Sequence, residues 1–293
     1  MGNWGARFRD WKRSKSGHAG PVIGVALGGG FARGIAHMGV LRVLEQNKVP
    51  VGAIAGVSAG AIAAAAYASG TEIQQIVRIA SAMRFNDIAR WNLSAIGLAG
   101  SEKMESFLCR LLRTCRFEEM KIPLAVLATD LAGGRAVVFR DHGDVMLPIR
   151  ASCSYPGLFQ PVRHNGAYLV DGAMTMEVPA EAVRRLGATH VLSVCLAVGG
   201  QEVDPRNMFQ VVSRSFQIMH TRTEHQWRRH STLVIEPDAR GVGWDRFDAA
   251  DRLIEAGERA ALAALPRIKA WLAPAEAAEA DRAAPADPLG EAA

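Results

Sequence analysis

The sequence predicts an α/β fold, a three-layer α/β/α sandwich around a mostly parallel central sheet. Short apolar runs alternate with segments of helical periodicity along nearly the whole chain, the pattern of a parallel sheet covered by helices on both faces. At 293 residues and 49% hydrophobic composition, the chain is long enough to bury one large core. No internal repeat and no strong linker divides it, so one domain is the simplest count.

The elements follow in order. Residues 21–27 (PVIGVAL) read as the first strand, followed by Gly28-Gly29-Gly30. From Ile35 to Asn47 the apolar residues Ile35, Met38, Leu41, Val43 and Leu44 form one buried stripe. Residues 53–57 make a second strand ending at Ser58. The tiny residues of 59–69 make a helix suited to tight packing on a sheet, and 73–83 a further helix. Residues 84–103 lack a clear period and read as a surface loop or flap. Helix is expected again at 104–114 and 145–152, and strand at 122–129, 136–140 and 167–170, the last ending at Asp171. Strands at 191–197 and 233–235 flank a long polar helix over 209–229. A final helix covers 249–271.

The ends differ in composition from the core, which spans 21–272. Residues 1–20 carry five basic side chains against Asp10 alone, with Trp4, Phe8 and Trp11 on one helical face. This segment reads as flexible and as a candidate for peripheral contact with an anionic membrane surface. Residues 273–293 are rich in Ala, Pro and acids and read as a disordered tail. No apolar stretch reaches the ~18 residues of a membrane span, and the N-terminus lacks the apolar core of a secretory signal. Cys109, Cys115, Cys153 and Cys195 form no metal-binding or redox pattern. The expectation is a cytoplasmic protein, peripheral at most to the inner membrane surface, with no metal and no cofactor. The net charge of +5 comes without a nucleic-acid-binding motif, so no nucleic-acid partner is expected.

The chemistry centres on Gly56-Val57-Ser58-Ala59-Gly60. A serine between small residues at a strand-to-helix turn is lifted out of the sheet, with the next helix N-terminus aimed at developing negative charge. The bland alternative is a tight turn with Ser58 as helix N-cap. The first turn, Gly28-Gly29-Gly30, lets backbone N–H groups point into a cleft at the same sheet edge. A dinucleotide site fits poorly, because the G-x-G-x-x-G spacing fails and no acid ends the second strand. The phosphate-loop lysine is missing as well. Asp171, at a strand end before Gly172, is a candidate base, although a turn Asp bonded to backbone is the commoner fate. Among the histidines, His37 reads as packed or surface, His164 as a turn and His190 as the mouth of a strand. His220, His225 and His230 share a polar helix and read as solvated. None marks itself as the third member of a Ser–Asp–His triad.

Four blocks together carry a resemblance. They are Gly28-Gly29-Gly30-Phe31-Ala32-Arg33-Gly34, Gly56-Val57-Ser58-Ala59-Gly60, Ala151-Ser152-Cys153-Ser154-Tyr155-Pro156 and Asp171-Gly172-Ala173. In order and spacing they resemble the patatin-like phospholipase family, over about residues 22–235, and its small bacterial members most of all. The resemblance implies a lipid acyl hydrolase of phospholipase A or lysophospholipase type, using a Ser–Asp dyad without a catalytic His. Ser58 would be the nucleophile and Asp171 the base. Backbone N–H groups of Gly29, Gly30 and Phe31 would form the oxyanion hole. Gly28, Arg33, Gly34, Gly56, Gly60 and Gly172 would support the motifs, Arg33 holding the glycine turn or an anionic head group. The sequence departs from the family at Phe31, where many members carry Gly, and at Ala173. The substrate implied is a lipid or other acyl ester. Two alternatives stay open: a Ser-dependent acyltransferase, which normally uses a His, and a non-catalytic regulatory member of the fold.

Overall fold

The computed structural model describes residues 21–196, 204–205 and 207–273. The basic segment 1–20 and the acidic tail from 274 onward lie outside the described residues. Five strands form the parallel part of the main sheet: β1 (Ile23–Leu27), β2 (Val51–Gly56), β5 (Leu124–Asp130), β9 (His190–Val194) and β10 (Leu233–Ile235). Three more, β6 (Arg135–Arg140), β7 (Val162–His164) and β8 (Ala167–Asp171), pair antiparallel. The order is β10-β9-β1-β2-β5-β8-β7, with β6 on β5. The sheet is therefore parallel on one side and antiparallel on the other.

The helices follow from the patterning. Those covering one face include α1 (Ala36–Gln46), α2 (Ala59–Ala68), α3 (Ile73–Ala82), α5 (Glu102–Leu111) and α9 (Ala250–Ala270). Ile23, Val25, Leu27 and Ile54 point into the core beneath them, with Leu41 and Leu44 of α1 fully buried against it. The alternate residues Ala26, Ala53, Ala55 and Ala125 face the other way, as strand periodicity requires. They are small because α7 (Ala180–Arg185) packs close: a Cβ on Gly24 would lie 2.1 Å from Val183. Trp227, near the end of α8 (Met208–Arg228), closes this second core. Helices α1 and α9 touch backbone to backbone. A Cβ on Gly39 would meet the Ile254 carbonyl at 2.0 Å, and one on Gly257 the Ala36 carbonyl at 2.0 Å.

Residues 84–103 depart from the expected loop. They form a one-turn helix, α4 (Phe85–Ile88), and a hairpin of β3 (Arg90–Ser94) and β4 (Gly97–Gly100) joined by a two-residue turn. This two-stranded sheet does not join the main one, so its short strands left no long period to read. The remaining helix, α6 (Met146–Ser152), lies beside β5 and β8. No helix among the described residues is long and apolar enough to cross a membrane.

Candidate active site

The turn after β2 leaves Ser58 with φ 54° and ψ −127°. A positive φ is uncommon for a non-glycine residue, and such strain clusters at functional sites. The hydroxyl makes no capping bond to α2, so the N-cap reading of Ser58 fails. The turn is tight enough to demand its glycines. A Cβ on Gly60 would lie 2.2 Å from the Leu27 carbonyl, and one on Gly56 2.2 Å from that of Gly60.

Sheet register brings Asp171 to this turn from a strand running the opposite way. Gly56 pairs with Val126 of β5, and Asp171 pairs with Ala128, two residues further along the same strand. That is the level the chain after β2 reaches at Ser58. Asp171 is 1% exposed. Its Oδ1 accepts from the Ala173 N–H at 2.9 Å. The nearby Ser58 hydroxyl favours the carboxyl's ionised form. Oδ2 has no hydrogen-bond partner among the described residues. Burial dominates and pushes the Asp171 pKa up to about 7.

A single segment fixes both residues. The Ser58 N–H donates to Ser152 Oγ at 2.8 Å. The Asp171 N–H donates to the Ser154 carbonyl at 3.0 Å. Ser152 and Ser154 are fully buried. Their positioning geometry was not readable from the sequence; the only signal was their place in one of the four blocks.

The glycine turn lies alongside. Gly28 continues from β1 and donates its N–H to the Val194 carbonyl at 3.0 Å. Gly29 lies beside the serine turn: a Cβ there would meet the Ser58 Cβ at 3.5 Å. Its N–H, however, donates to the Glu177 carbonyl at 3.3 Å. The expectation that Gly29 offers a donor to the cleft is corrected on this point. Gly30 follows with φ 171°, ordinary extended backbone, and Phe31 with φ 51°. Phe31 thus holds a left-handed conformation in which glycine is at ease, the position where many sequences of the resembled family carry Gly. Its ring packs edge-on against Tyr155 at 4.8 Å and Trp244 at 5.4 Å. Arg33 is nearly buried and its Nε–H donates to the Gly30 carbonyl at 3.3 Å. Desolvation lowers its pKa, opposed by Tyr155 and Glu177. Gly34 abuts Ala59, and Gly172 abuts the Leu127 carbonyl.

His37 is buried beneath this turn, and its Nε2–H donates to the Gly28 carbonyl at 2.8 Å. Burial lowers its pKa to about 4, so the ring is neutral near pH 7 and serves the turn, not the cleft. His220 departs from expectation. It is not solvated; it lines the same cavity as Ser58, bonded to the Ala173 backbone, with Nδ1 3.9 Å from Glu177. Burial lowers its pKa and raises that of Glu177 to about 7, with Glu224 adding to the rise. The helix turned its His220 face inward because α8 packs over the cleft, which its polar composition concealed.

These groups share a cavity of about 620 Å³. Phe31, Tyr155, Leu196, Val242 and Trp244 make an apolar wall, and Arg33, Glu177, His220 and Arg228 contribute polar groups. Among the described residues, no group of three or more His, Cys, Asp or Glu could hold a metal. One cavity thus brings together a strained Ser58, the desolvated Asp171 carboxyl and the Gly29–Phe31 turn, with an apolar wall.

Comparison with known proteins agrees with the blocks. Residues 25–184 match the family described as patatin-like phospholipase. An uncharacterized NTE family protein of Mycobacterium tuberculosis is 30% identical over 192 residues, covering 64% of this chain and 52% of that protein. The neuropathy target esterase sws of Drosophila melanogaster is 28% identical over 204 residues, covering 66% of this chain and 14% of that protein. The chain spans about half the length of the curated mycobacterial relative. The crystal structure of VipD from Legionella pneumophila superposes with a TM-score of 0.50 at 11% identity, covering 85% of this chain and 67% of that one. At that identity the likeness shows the fold alone.

Proposed function

The chain belongs to the patatin-like phospholipase family, and from that premise we propose that it is a lipid acyl hydrolase of phospholipase A or lysophospholipase type, working through Ser58 and Asp171. The observation that carries the reading is the buried Asp171 carboxyl brought by the sheet register to the level of a strained Ser58. A carboxylate at its usual pKa near 4 is a weak base toward an alcohol. Desolvation lifts it toward neutrality and so raises its basicity. In the proposed step, Asp171 accepts the Ser58 proton as Oγ attacks the ester carbonyl. The carbonyl electrons move onto oxygen, facing the backbone N–H of Gly30 and Phe31 and the positive end of α2. Collapse expels the alcohol, which takes the proton from Asp171. Water, deprotonated by the same carboxylate, then releases the fatty acid and restores the serine. An alcohol leaves more readily than an amine, so no strong general acid is required. Arg33, nearly buried on the cavity wall, suits the phosphate of a glycerophospholipid.

The test is a panel of p-nitrophenyl esters and phospholipids. Ser58→Ala and Asp171→Asn are each expected to lower kcat by at least ~10³-fold, the scale of removing a nucleophile or its base. A fluorophosphonate probe is expected to label the parent and not Ser58→Ala. His220 favours a second reading, in which an imidazole serves as base and the acyl group passes to a second alcohol or thiol. Loss of turnover in His220→Ala with retention in Asp171→Asn would establish that reading and overturn the dyad.

A further inference from the structure

We propose that the β3–β4 hairpin is a docking tip that seats this chain on a glycerophospholipid bilayer. Trp91, Ile96 and Leu98 are 59%, 57% and 41% exposed, three large apolar side chains on an eleven-residue excursion (90–100) outside the main sheet. Ile96 sits in the turn itself. Trp91 pairs with Ala99 and so lies on the hairpin face opposite to Leu98, with Ile96 in the turn between them. This leaves the tip apolar on both faces, and exposed apolar residues of this size mark interaction surfaces.

Two observations select a bilayer as the partner. The first is charge. Between Arg90 and Gly100 the only ionisable side chain is Arg90. The turn and its two strands therefore carry no carboxylate to repel lipid phosphates; the charges at the base are Arg90 and, beside Gly100, the Glu102 carboxylate. Trp91 beside that cation has the amphipathic character that favours the membrane interface. The second is continuity with the cavity. Trp91 packs on Phe85 at 5.3 Å, Phe85 on Trp244 at 6.1 Å, and Trp244 on Phe31 at 5.4 Å. Trp244 and Phe31 line the cavity that holds Ser58. A line of aromatic rings thus runs from the exposed tip to the serine turn. A lipid leaving a bilayer at the tip would keep apolar contact along that line.

The hairpin is braced for the role. The N–H groups of Leu98 and Ala99 donate to the Leu158 carbonyl at 3.0 and 2.8 Å, and the Gln160 N–H returns to the Ala99 carbonyl at 3.0 Å. Phe159 packs on Phe85 at 6.0 Å. Insertion of the tip would therefore hold the cavity at a fixed place relative to the lipid surface. The inference deepens the lipid-hydrolase reading and rests on it for its biological sense, but its test does not depend on turnover.

The experiment measures binding of the full chain to vesicles of equal parts phosphatidylcholine and phosphatidylglycerol by co-sedimentation, with hydrolysis of a soluble short-chain ester followed in parallel. Ile96→Asp is expected to lower vesicle binding about tenfold, because a carboxylate replaces an apolar anchor at the point of entry, and to leave the soluble ester rate unchanged. Trp91→Ala serves as a second variant and is expected to weaken binding in the same direction. A parent chain that does not bind these vesicles, or variants that bind as the parent does, would overturn the proposal. A dimer of the parent that Ile96→Asp dissociates, without vesicle binding, would overturn it too and assign the tip to a second copy of this chain. If the soluble ester is not hydrolysed while vesicles are bound and Ile96→Asp releases them, the hydrolase reading fails and the docking tip stands.

Discussion

As the proposed base, Asp171 carries two burdens, because the burial that raises its basicity would also set the pH at which it works. Its carboxyl is desolvated, with the Ala173 N–H and the Ser58 hydroxyl compensating only in part, and titrates at about 7. A base must be ionised, so kcat/KM is expected to rise with pH through about 7 and then level. Activity lost on acidification through that point is the required sign. Glu177 shares the cavity and also titrates at about 7, so the apparent value belongs in principle to both groups. Glu177→Gln separates them. If Asp171 governs the limb, the variant keeps a rising limb within about half a pH unit of the parent, half a unit being well under 1 kcal/mol. A flat profile in Glu177→Gln would transfer the role to Glu177. Steady-state rates on a soluble ester between pH 5 and 9 decide it.

At the scale of elements, α6 and the residues after it form the clamp that joins the proposed nucleophile and base. Ser152 holds the Ser58 backbone and Ser154 holds that of Asp171, so the two side chains are registered through one short segment. Ser152→Ala leaves the Ser58 N–H buried without its acceptor, a cost of about 1–3 kcal/mol. The strained turn is expected to relax and misplace Oγ. The expected outcome is a kcat roughly 10–100-fold lower with KM little changed, since misplacement acts on the reacting geometry. Ser152→Thr, which keeps the hydroxyl, is expected to recover part of the rate; no rescue by Thr and an unchanged kcat in Ala would remove the clamp from the mechanism. This element also marks how far the sequence was legible. The β2 turn was readable because apolar strand, small residues and Ser58 are contiguous. The partnership with Asp171 was readable only as two strand ends, since the register through β5 is a long-range fact. The hairpin escaped notice because strands of five and four residues give almost no period. His220 was misjudged because a polar helix face can line a cleft as readily as meet solvent.

For the whole molecule, the site is a liability that the fold must absorb. The two cores flanking the sheet are apolar and tightly packed, and into this surround the chain places a carboxyl that the proposed mechanism requires to ionise. A pKa raised in the folded state means that folding prefers the protonated acid. The associated stability is present in full below the unfolded value, near 4, and is lost as pH rises through about 7. Three units correspond to about 4 kcal/mol at most. Asp171→Asn removes the ionisation and keeps an oxygen for the Ala173 N–H. The inactive variant is therefore expected to be more stable than the parent at pH 8, with Tm higher by roughly 3–8 °C, since 1 kcal/mol moves a domain of this size by a few degrees. At pH 5 the advantage should shrink to about a third, because the folded carboxyl is then protonated while that of the unfolded chain is still mostly ionised, and it should vanish only below about pH 4. Glu177 shifts in the same direction but is present in both proteins, so it cancels in the difference. His37 acts in the opposite sense: its lowered pKa costs stability as pH falls from about 6.5 toward 4, and it too is common to both. Thermal melts of the pair at pH 5 and pH 8 isolate the carboxylate. An Asp171→Asn protein no more stable than its parent at pH 8 would mean that the carboxylate is solvated or paired in the folded state, and its elevated basicity would go with that.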